Sequence, residues 1–288
     1  MRSILVVGAK GMLGTEVMEA LGQRRWVQTF GGSEIHGRDI EEVDITDPHS
    51  VGRCFDRVKP QLVINCAAYT EVDGCESNRE QAWAVNGEGC GHLARACGVH
   101  NSKLVHVSTD FVFNGGGAPR PYRVEDKPDP ISVYGESKLA GEEAIQQNME
   151  KYIIVRTSWL FGRYGKNFVS TICRAAQERE FLEVVEDQIG SPTYAVDLAE
   201  ALLHLAAAEG QGIFHFSNEG HCSWFEFAGE IVRQFGLPTE VRPTTSEKFH
   251  RPAPRPAWSV MDISRYKQTT GQSVRSWQDA LADYRRQC

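Results

Sequence analysis

The chain has no C-x-x-C pair among its eight cysteines and no H-x-x-x-H among its nine histidines. Without such spacings a structural zinc site is not expected, and the thiols read as the reduced cysteines of a cytoplasmic protein. Long apolar runs are also missing. The N-terminal run in MRSILVVGAKG is short and leads straight into glycines. It is too brief for a signal peptide, and no other stretch approaches the length of a membrane span. Nor is there an excess of positive charge: 31 Lys and Arg stand against 38 Asp and Glu, for a net charge of −7. That balance argues against nucleic acid or an anionic membrane as a partner. A small anionic ligand stays open, since it needs only a local pocket. Internal repeats and low-complexity tracts are absent as well.

What is present is a core's worth of apolar residues, 41% of 288, arranged as alternating strands and helices. Ile4–Val7 reads as a strand, followed by a glycine turn and a helix over Met12–Gly22. Val27–Phe30 reads as a second, weaker strand. Residues 48–58 read as a helix, QLVINCA as a buried strand, and residues 78–97 as a helix despite their glycines. KLVHVS and YIIVRTSWL are further strands, with a helix between them. Strands alternating with helices at this spacing imply βαβ units and a parallel sheet, here an α/β fold of the Rossmann, doubly wound type. The rhythm changes after about residue 160. Residues 1–160 are expected to form a dinucleotide-binding domain. Residues 161–288 are expected to form mainly a smaller α/β substrate lobe, with some segments returning to the first domain. Proline in 238–258 reads as too dense for regular structure.

Residues 8–14, GAKGMLG, form a G-x-x-G-x-x-G directly after the first strand and open the first helix. In that context the glycines permit a tight turn, a close approach of backbone to a diphosphate, and close packing of helix on strand. The helix N-terminus then offers free N–H groups to phosphate. An acid at the end of the second strand would bind the ribose of NAD. With that strand at Val27–Phe30, no acid follows until Glu34, whereas Arg38 is placed to meet a 2′-phosphate. The cofactor is therefore read as NADPH or NADH, with a lean to NADPH or dual use. VDITD at 43–47 is read as lining the adenine pocket through Asp44 and Ile45, with Asp47 capping a helix.

Residues 134–138, YGESK, place a phenol and an ammonium on one face of a helix. A phenol ionises near pH ~10. A neighbouring ammonium and the cationic oxidised nicotinamide are expected to lower that value and make Tyr134 a better acid toward a carbonyl. VSTDF at 107–111 ends a strand on the side where parallel sheets gather ligands, and Thr109 offers a hydroxyl there. Y-x-x-x-K alone is frequent by chance; its meaning comes from standing third in order after the glycine loop and Thr109.

Together GAKGMLG, NCAAYTEVDGCE, VSTDFVFNG, VYGESKLAGE, RTSWLFG, NFVSTI, DQIGSPTYAVDLA and RPAPRPAWSVMD resemble the dTDP-4-dehydrorhamnose reductases, a family of extended short-chain dehydrogenases/reductases. The resemblance runs along nearly the whole chain. It implies reduction of the C4 ketone of dTDP-4-dehydro-L-rhamnose to dTDP-L-rhamnose by NAD(P)H. It implies Thr109, Tyr134 and Lys138 as the catalytic group. It implies Gly8, Lys10, Gly11, Met12, Leu13, Gly14, Asp44, Ile45, Ala67, Ala68 and Tyr69 as cofactor contacts. Asp110, Trp159, Asn167 and Arg255 are implied for the dTDP-sugar. Related dehydratases follow the threonine with Asp-Glu; here Asp110-Phe111 lacks the second acid, which favours reduction over elimination. Some members dimerise through magnesium on acidic residues. Glu16 matches one such position and Val196 does not match another, so no metal is expected and a homodimer is left open. Two alternatives stand beside this reading: a sister NDP-4-keto-6-deoxyhexose reductase, and a non-catalytic NAD(P)-binding regulatory subunit such as that of methionine adenosyltransferase.

Overall fold

The structure is a computed structural model and describes residues 3–116 and 120–287. Cys288 lies outside them. In chain order the first elements are β1 (Ser3–Val7), α1 (Met12–Leu21), α2 (Arg24–Thr29), β2 (Glu34–Arg38), α3 (Pro48–Val58), β3 (Leu62–Asn65), α4 (Val72–Ser77) and α5 (Arg79–Trp83). A π-helical turn, Ala84–Glu88, leads into α6 (Gly89–His100), then β4 (Lys103–Thr109), α7 (Val133–Asn148), β5 (Tyr152–Thr157) and β6 (Leu160–Phe161). The remainder is α8 (Phe168–Glu178), β7 (Phe181–Val185), β8 (Ile189–Gly190), β9 (Thr193–Tyr194), α9 (Ala195–Ala207), β10 (Gly212–His215), β11 (Cys222–Ser223), α10 (Trp224–Phe235), β12 (Glu240–Thr244), α11 (Ser264–Thr270) and α12 (Trp277–Gln287).

Six strands form one parallel sheet in the order β10-β5-β4-β3-β1-β2. β1 and β3 are buried along their whole length, as strands covered by helices on both faces must be. One apolar core joins α1 and α9 to one face through Val17, Leu21, Leu198 and Leu202. The other packs α3 and α6 on the opposite face through Phe55, Leu93 and Cys97. The chain winds outward in both directions from the boundary between β1 and β3, which is where ligands sit in open α/β sheets. A third core, built on Phe161, Tyr194, Phe227, Trp277 and Leu281, holds the C-terminal elements together. β10 nevertheless lies in the main sheet beside β5. Cys54, Cys66, Cys75, Cys90, Cys97 and Cys222 are free thiols. Among the described residues no helix is long and apolar enough to cross a membrane.

Two sequence expectations are corrected. Val27–Phe30 is not a strand: Arg24–Thr29 is helical, and the second strand is Glu34–Arg38. Helical geometry turns the Trp26 ring onto His204 of α9, with centroids 4.8 Å apart, and lets its Nε1 donate to Glu200 Oε2 at 2.9 Å. The true strand, EIHGR, lies at the sheet edge and is only partly buried, so it carries no apolar pattern. The proline-dense segment also contains regular structure. Glu240–Thr244 pairs in parallel with β7, and Pro243 is accommodated because both strands of this two-stranded sheet are edges.

Candidate active site

The cleft starts at the turn after β1. Gly8 holds φ at +74°, and a Cβ there would lie 2.7 Å from the Ala67 nitrogen. A Cβ on Gly14 would lie 2.0 Å from the Gly8 carbonyl oxygen. Only glycine lets the turn, the helix and the end of β3 come this close. Gly11 is the N-cap of α1, with no side-chain cap and no acid in the first turn. The first N–H groups of α1 are thus left to an outside acceptor. They open onto a cavity of about 390 Å³ lined by Gly11–Gly14, Ala68, Thr109, Tyr134, Lys138 and Trp159. An adjoining cavity of about 610 Å³ is lined by Gly8, Lys10, Asp39, Asp44, Ile45, Ala67, Ala68 and Tyr69. The two share Gly11, Cys66 and Ala68. This glycine cradle, free helix end and bipartite cleft fit a dinucleotide.

The correction at β2 changes the far end of that cleft. Asp39 directly follows the strand, and its Oδ2 accepts the Lys10 N–H at 2.9 Å. An acid therefore does stand at the ribose position. Asp44 ties its Oδ1 to the Thr46 N–H and hydroxyl at 2.9 and 2.7 Å. Asp47 caps α3 by accepting the His49 N–H at 2.8 Å.

Ser132 caps α7 by accepting the Gly135 N–H at 3.1 Å, which starts the helix one residue before Tyr134. Lys138, one turn on, is 2% exposed. Its Nζ donates to the Val107 carbonyl at 2.8 Å and lies 3.4 Å from His106 Nε2. His106 is buried, with Nδ1 3.0 Å from the Asn65 amide nitrogen; burial, then the lysine charge, holds its pKa well below the ordinary value. Burial also lowers Lys138. The protein's own groups do not lower the phenol of Tyr134, contrary to what was expected of Lys138. Burial pushes the phenol up, only partly offset by the Thr109 hydroxyl, and Asp110 raises it further. The ammonium expected to acidify it is engaged by Val107 and His106 instead. Thr109 closes β4; its Oγ1 donates to Asp110 Oδ1 at 3.1 Å and accepts the Phe111 N–H at 3.2 Å.

Asp110 stands at the junction of this cleft with a third cavity of about 400 Å³. Its carboxylate is buried, which raises its pKa to about 6 against the opposing effect of the Ser259 and Thr109 hydroxyls. Its Oδ2 has no hydrogen-bond partner. Trp159 lines both cavities. The third cavity also presents Trp224, Arg179, Arg251 and Arg255. Arg255 is anchored to Asp73 of α4 at 3.0 Å. Asn167 does not reach this cavity. Its Oδ1 accepts the Ser170 N–H at 3.1 Å and its amide donates to the Gly162 carbonyl at 2.8 Å, so it is spent as the cap of α8. Nor does Glu16 offer a metal ligand: Arg163 binds it through Nε at 3.0 Å and Nη2 at 2.6 Å. Among the described residues no cluster of three or more His, Cys, Asp or Glu is placed to hold a metal.

Sequence reasoning did not single out Asn86, Asp39, Arg179, Arg251 or Trp224. Asn86 sits in the π-helical turn, fully buried. It accepts the Tyr69 N–H at 2.8 Å and donates to the Tyr69 carbonyl at 3.0 Å and to Ser137 Oγ at 3.1 Å. It thereby fixes the cofactor-side loop to α7. The only signal was the glycine-rich NGEGCG around it; α7 comes close to this turn through its own Gly141, where a Cβ would lie 2.1 Å from the Asn86 carbonyl oxygen.

Comparison with known proteins places this arrangement. The family model described as the RmlD substrate binding domain matches residues 1–288. The spore coat polysaccharide biosynthesis protein SpsK of Bacillus subtilis is 41% identical over 284 residues, 99% of this chain and 97% of that protein. A dTDP-4-dehydrorhamnose reductase of Mycobacterium tuberculosis is 42% identical over 285 residues, 97% of this chain and 91% of that protein. A crystal structure of the Bacillus anthracis dTDP-4-dehydrorhamnose reductase in complex with NADP superposes with a TM-score of 0.94, at 37% identity and 100% coverage of both chains.

Proposed function

This chain belongs to the family of the RmlD substrate binding domain, and we propose that it is a sugar-nucleotide 4-ketoreductase, turning dTDP-4-dehydro-L-rhamnose into dTDP-L-rhamnose with NADPH or NADH. One observation carries the reading: Thr109, Tyr134 and Lys138 meet the glycine cradle in one cleft, and that cleft opens at Asp110 and Trp159 into a second cavity with three arginines. Relatives of similar length named as dTDP-4-dehydrorhamnose reductases support the substrate.

The cofactor, when bound, supplies the hydride that reduces the ketone carbon. Gly8, Gly11 and Gly14, with the Met12 and Leu13 end of α1, receive its diphosphate. Lys10, Asp44, Ile45, Ala67, Ala68 and Tyr69 line its adenosine half. Tyr134 gives its proton to the ketone oxygen as that oxygen becomes an alkoxide. The phenol is a weak acid here, so the driving force comes from the far stronger basicity of the forming alkoxide. Thr109 holds the same oxygen once its hydroxyl, which donates to Asp110 Oδ1 here, turns to the ketone. Lys138, braced by Val107 and His106 on the wall of the same cleft, is placed to hold the cofactor's sugar. Asp110, through its free Oδ2, accepts a hydroxyl of the hexose. Trp159 and Trp224 offer aromatic surface, and Arg179, Arg251 and Arg255 offer charge for the diphosphate.

Residues 1–160 then serve the dinucleotide and residues 161–288 mainly the sugar nucleotide, with β10 returning to the sheet. The reading includes a cytoplasmic location and no nucleic-acid or membrane partner, and it allows a homodimer. A sister 4-ketoreductase acting on another sugar uses the same triad, so the product decides between them. Incubation with dTDP-4-dehydro-L-rhamnose and either reduced cofactor is expected to give dTDP-L-rhamnose by NMR. A C4 epimer identifies the sister activity. Cofactor binding without turnover identifies a regulatory subunit.

A further inference from the structure

We propose that Asn65, His106 and Cys90 are positioning residues for Lys138: a buried hydrogen-bond chain that runs in one direction turns an N–H edge of the imidazole to the lysine and leaves the ammonium's spare N–H groups to the cleft. This rests on the reductase reading above. Asn65 ends β3 and pairs in register with His106 of β4, so the two side chains stand next to each other on one face of the sheet. Asn65, His106, Cys90 and Lys138 are all buried. The direction of the chain follows from its donors and acceptors. Asn65 Oδ1 accepts the Ala67 N–H at 3.1 Å, so the amide nitrogen is the atom that meets His106 Nδ1 at 3.0 Å. That nitrogen has only hydrogens to offer, so Nδ1 carries the lone pair. Burial and the lysine charge keep the ring neutral, which puts its one proton on Nε2. Nε2 faces Cys90 Sγ at 3.9 Å. The sulfur sends its own proton to the Asn86 carbonyl at 3.1 Å and is left as an acceptor. The second amide hydrogen of Asn65 points to the same sulfur at 4.0 Å.

Lys138 Nζ lies 3.4 Å from Nε2 and therefore meets an N–H there, not a lone pair. The imidazole braces the lysine by contact and does not draw its hydrogens inward. Glu142, one turn along α7, is taken by Arg156 at 2.7 Å. Cys66 and Cys90, the other titratable groups that act on Nζ, are kept as thiols by burial. Among the described residues, the Val107 carbonyl at 2.8 Å is then the acceptor left to Nζ on the inner side. An ammonium carries three N–H groups. Two of them remain for the cleft that Lys138 lines with Tyr134.

The test reads the ring directly. Long-range proton–nitrogen NMR of the full-length protein labelled at histidine, with the His106 signals assigned by their loss in His106→Asn, is expected to show a neutral ring protonated at Nε2 around neutral pH. A ring protonated at Nδ1, or at both nitrogens, overturns the proposal. Asn65→Asp keeps an acceptor for the Ala67 N–H and sets a second acceptor against Nδ1. It is expected to move the ring proton to Nδ1 and bare the Nε2 lone pair to Lys138. NADH and NADPH, titrated by nicotinamide fluorescence, should then bind about tenfold more weakly, the order of one charge-assisted hydrogen bond. A proton moved to Nδ1 with binding unchanged overturns the proposal. So does weaker binding with the proton still on Nε2, which makes these residues structural. Failure of the unaltered protein to bind either dinucleotide overturns the reductase reading as well; a ring protonated at Nδ1 in a protein that binds and reduces normally overturns this proposal alone.

Discussion

Trp159 and Trp224 lie face to face, with ring centroids 3.5 Å apart and planes 7° from parallel. The contact joins the segment after β5 to the first residue of α10. Trp159 holds φ at +47°, a left-handed backbone that bulky residues seldom adopt. Gly190 makes room for it, since a Cβ there would lie 2.5 Å from the indole. Strain of this kind persists where packing on all sides enforces it, and it marks positions where a side chain has work to do. Here it places the indole between the cofactor cleft and the arginine-bearing cavity, lining both.

Trp224→Ala removes one half of that stack and part of the cavity wall. The KM for the sugar nucleotide is expected to rise about tenfold, the order of one lost base-stacking contact, with kcat changed less. Cofactor affinity, measured separately by fluorescence, should stay as it was, because Trp224 does not line the dinucleotide cleft. An equal loss of cofactor binding would mean the variant acts through the fold.

Asp110 gives a pH signature. Its folded pKa is raised to about 6 by burial. Above that value it is a carboxylate and accepts a sugar hydroxyl; below it the group is protonated and that acceptor is weakened. The kcat/KM for the sugar nucleotide is therefore expected to fall as pH drops through about 6. In Asp110→Asn the plateau should be lower and this acid limb should vanish. An unchanged limb in the variant would assign it to another group.

Lys138 is buried without a bonded carboxylate, its Nζ held by a carbonyl and an imidazole. A cation in that setting costs stability, since desolvation opposes its charge. Lys138→Met is expected to lose turnover by at least about 100-fold and to weaken cofactor binding, while thermal stability holds or rises. A variant that unfolds more readily and still reduces substrate would make Lys138 structural.

His215 sets a stability limb. Burial, then Arg156, lowers its folded pKa to about 3, and its Nδ1 lies 3.1 Å from the Tyr122 carbonyl. The unfolded imidazole ionises near ~6.5. As pH falls below that value the unfolded chain takes up a proton that the folded chain refuses, so stability is lost on acidification. His106 acts in the same direction. Urea unfolding between pH 6 and 5 should show a slope shallower by about 1 kcal/mol per pH unit in His215→Asn. An identical slope would show that His215 ionises freely in the folded protein.

Much of this architecture is written locally. The glycine spacing after β1 dictates a turn that only glycine can make, and YGESK lies one residue beyond a serine cap. Those features need only neighbours in sequence. What was illegible depended on distant partners. VQTF at 27–30 looked like a strand because Val, Thr and Phe favour strands, yet Glu200 and His204 hold the neighbouring Trp26 in a helix. The displaced strand hid Asp39 and with it the ribose end of the cofactor site. Asn167 looked like a ligand contact until its bonds to Gly162 and Ser170 made it a helix cap. Trp224, Arg179 and Arg251 reach the cavity from segments far from the triad, and no spacing rule links them to it. The effect of Lys138 on Tyr134 was misjudged because one-turn spacing says nothing about where the lysine's nitrogen points.

The most direct test of the account is hydride transfer by Tyr134→Phe at saturating cofactor and sugar nucleotide. The substitution removes one hydroxyl and little packing. Turnover is expected to fall by about 100- to 10,000-fold while dinucleotide affinity is kept, because the ketone oxygen loses its proton donor. Near-normal reduction by the phenylalanine variant would contradict it.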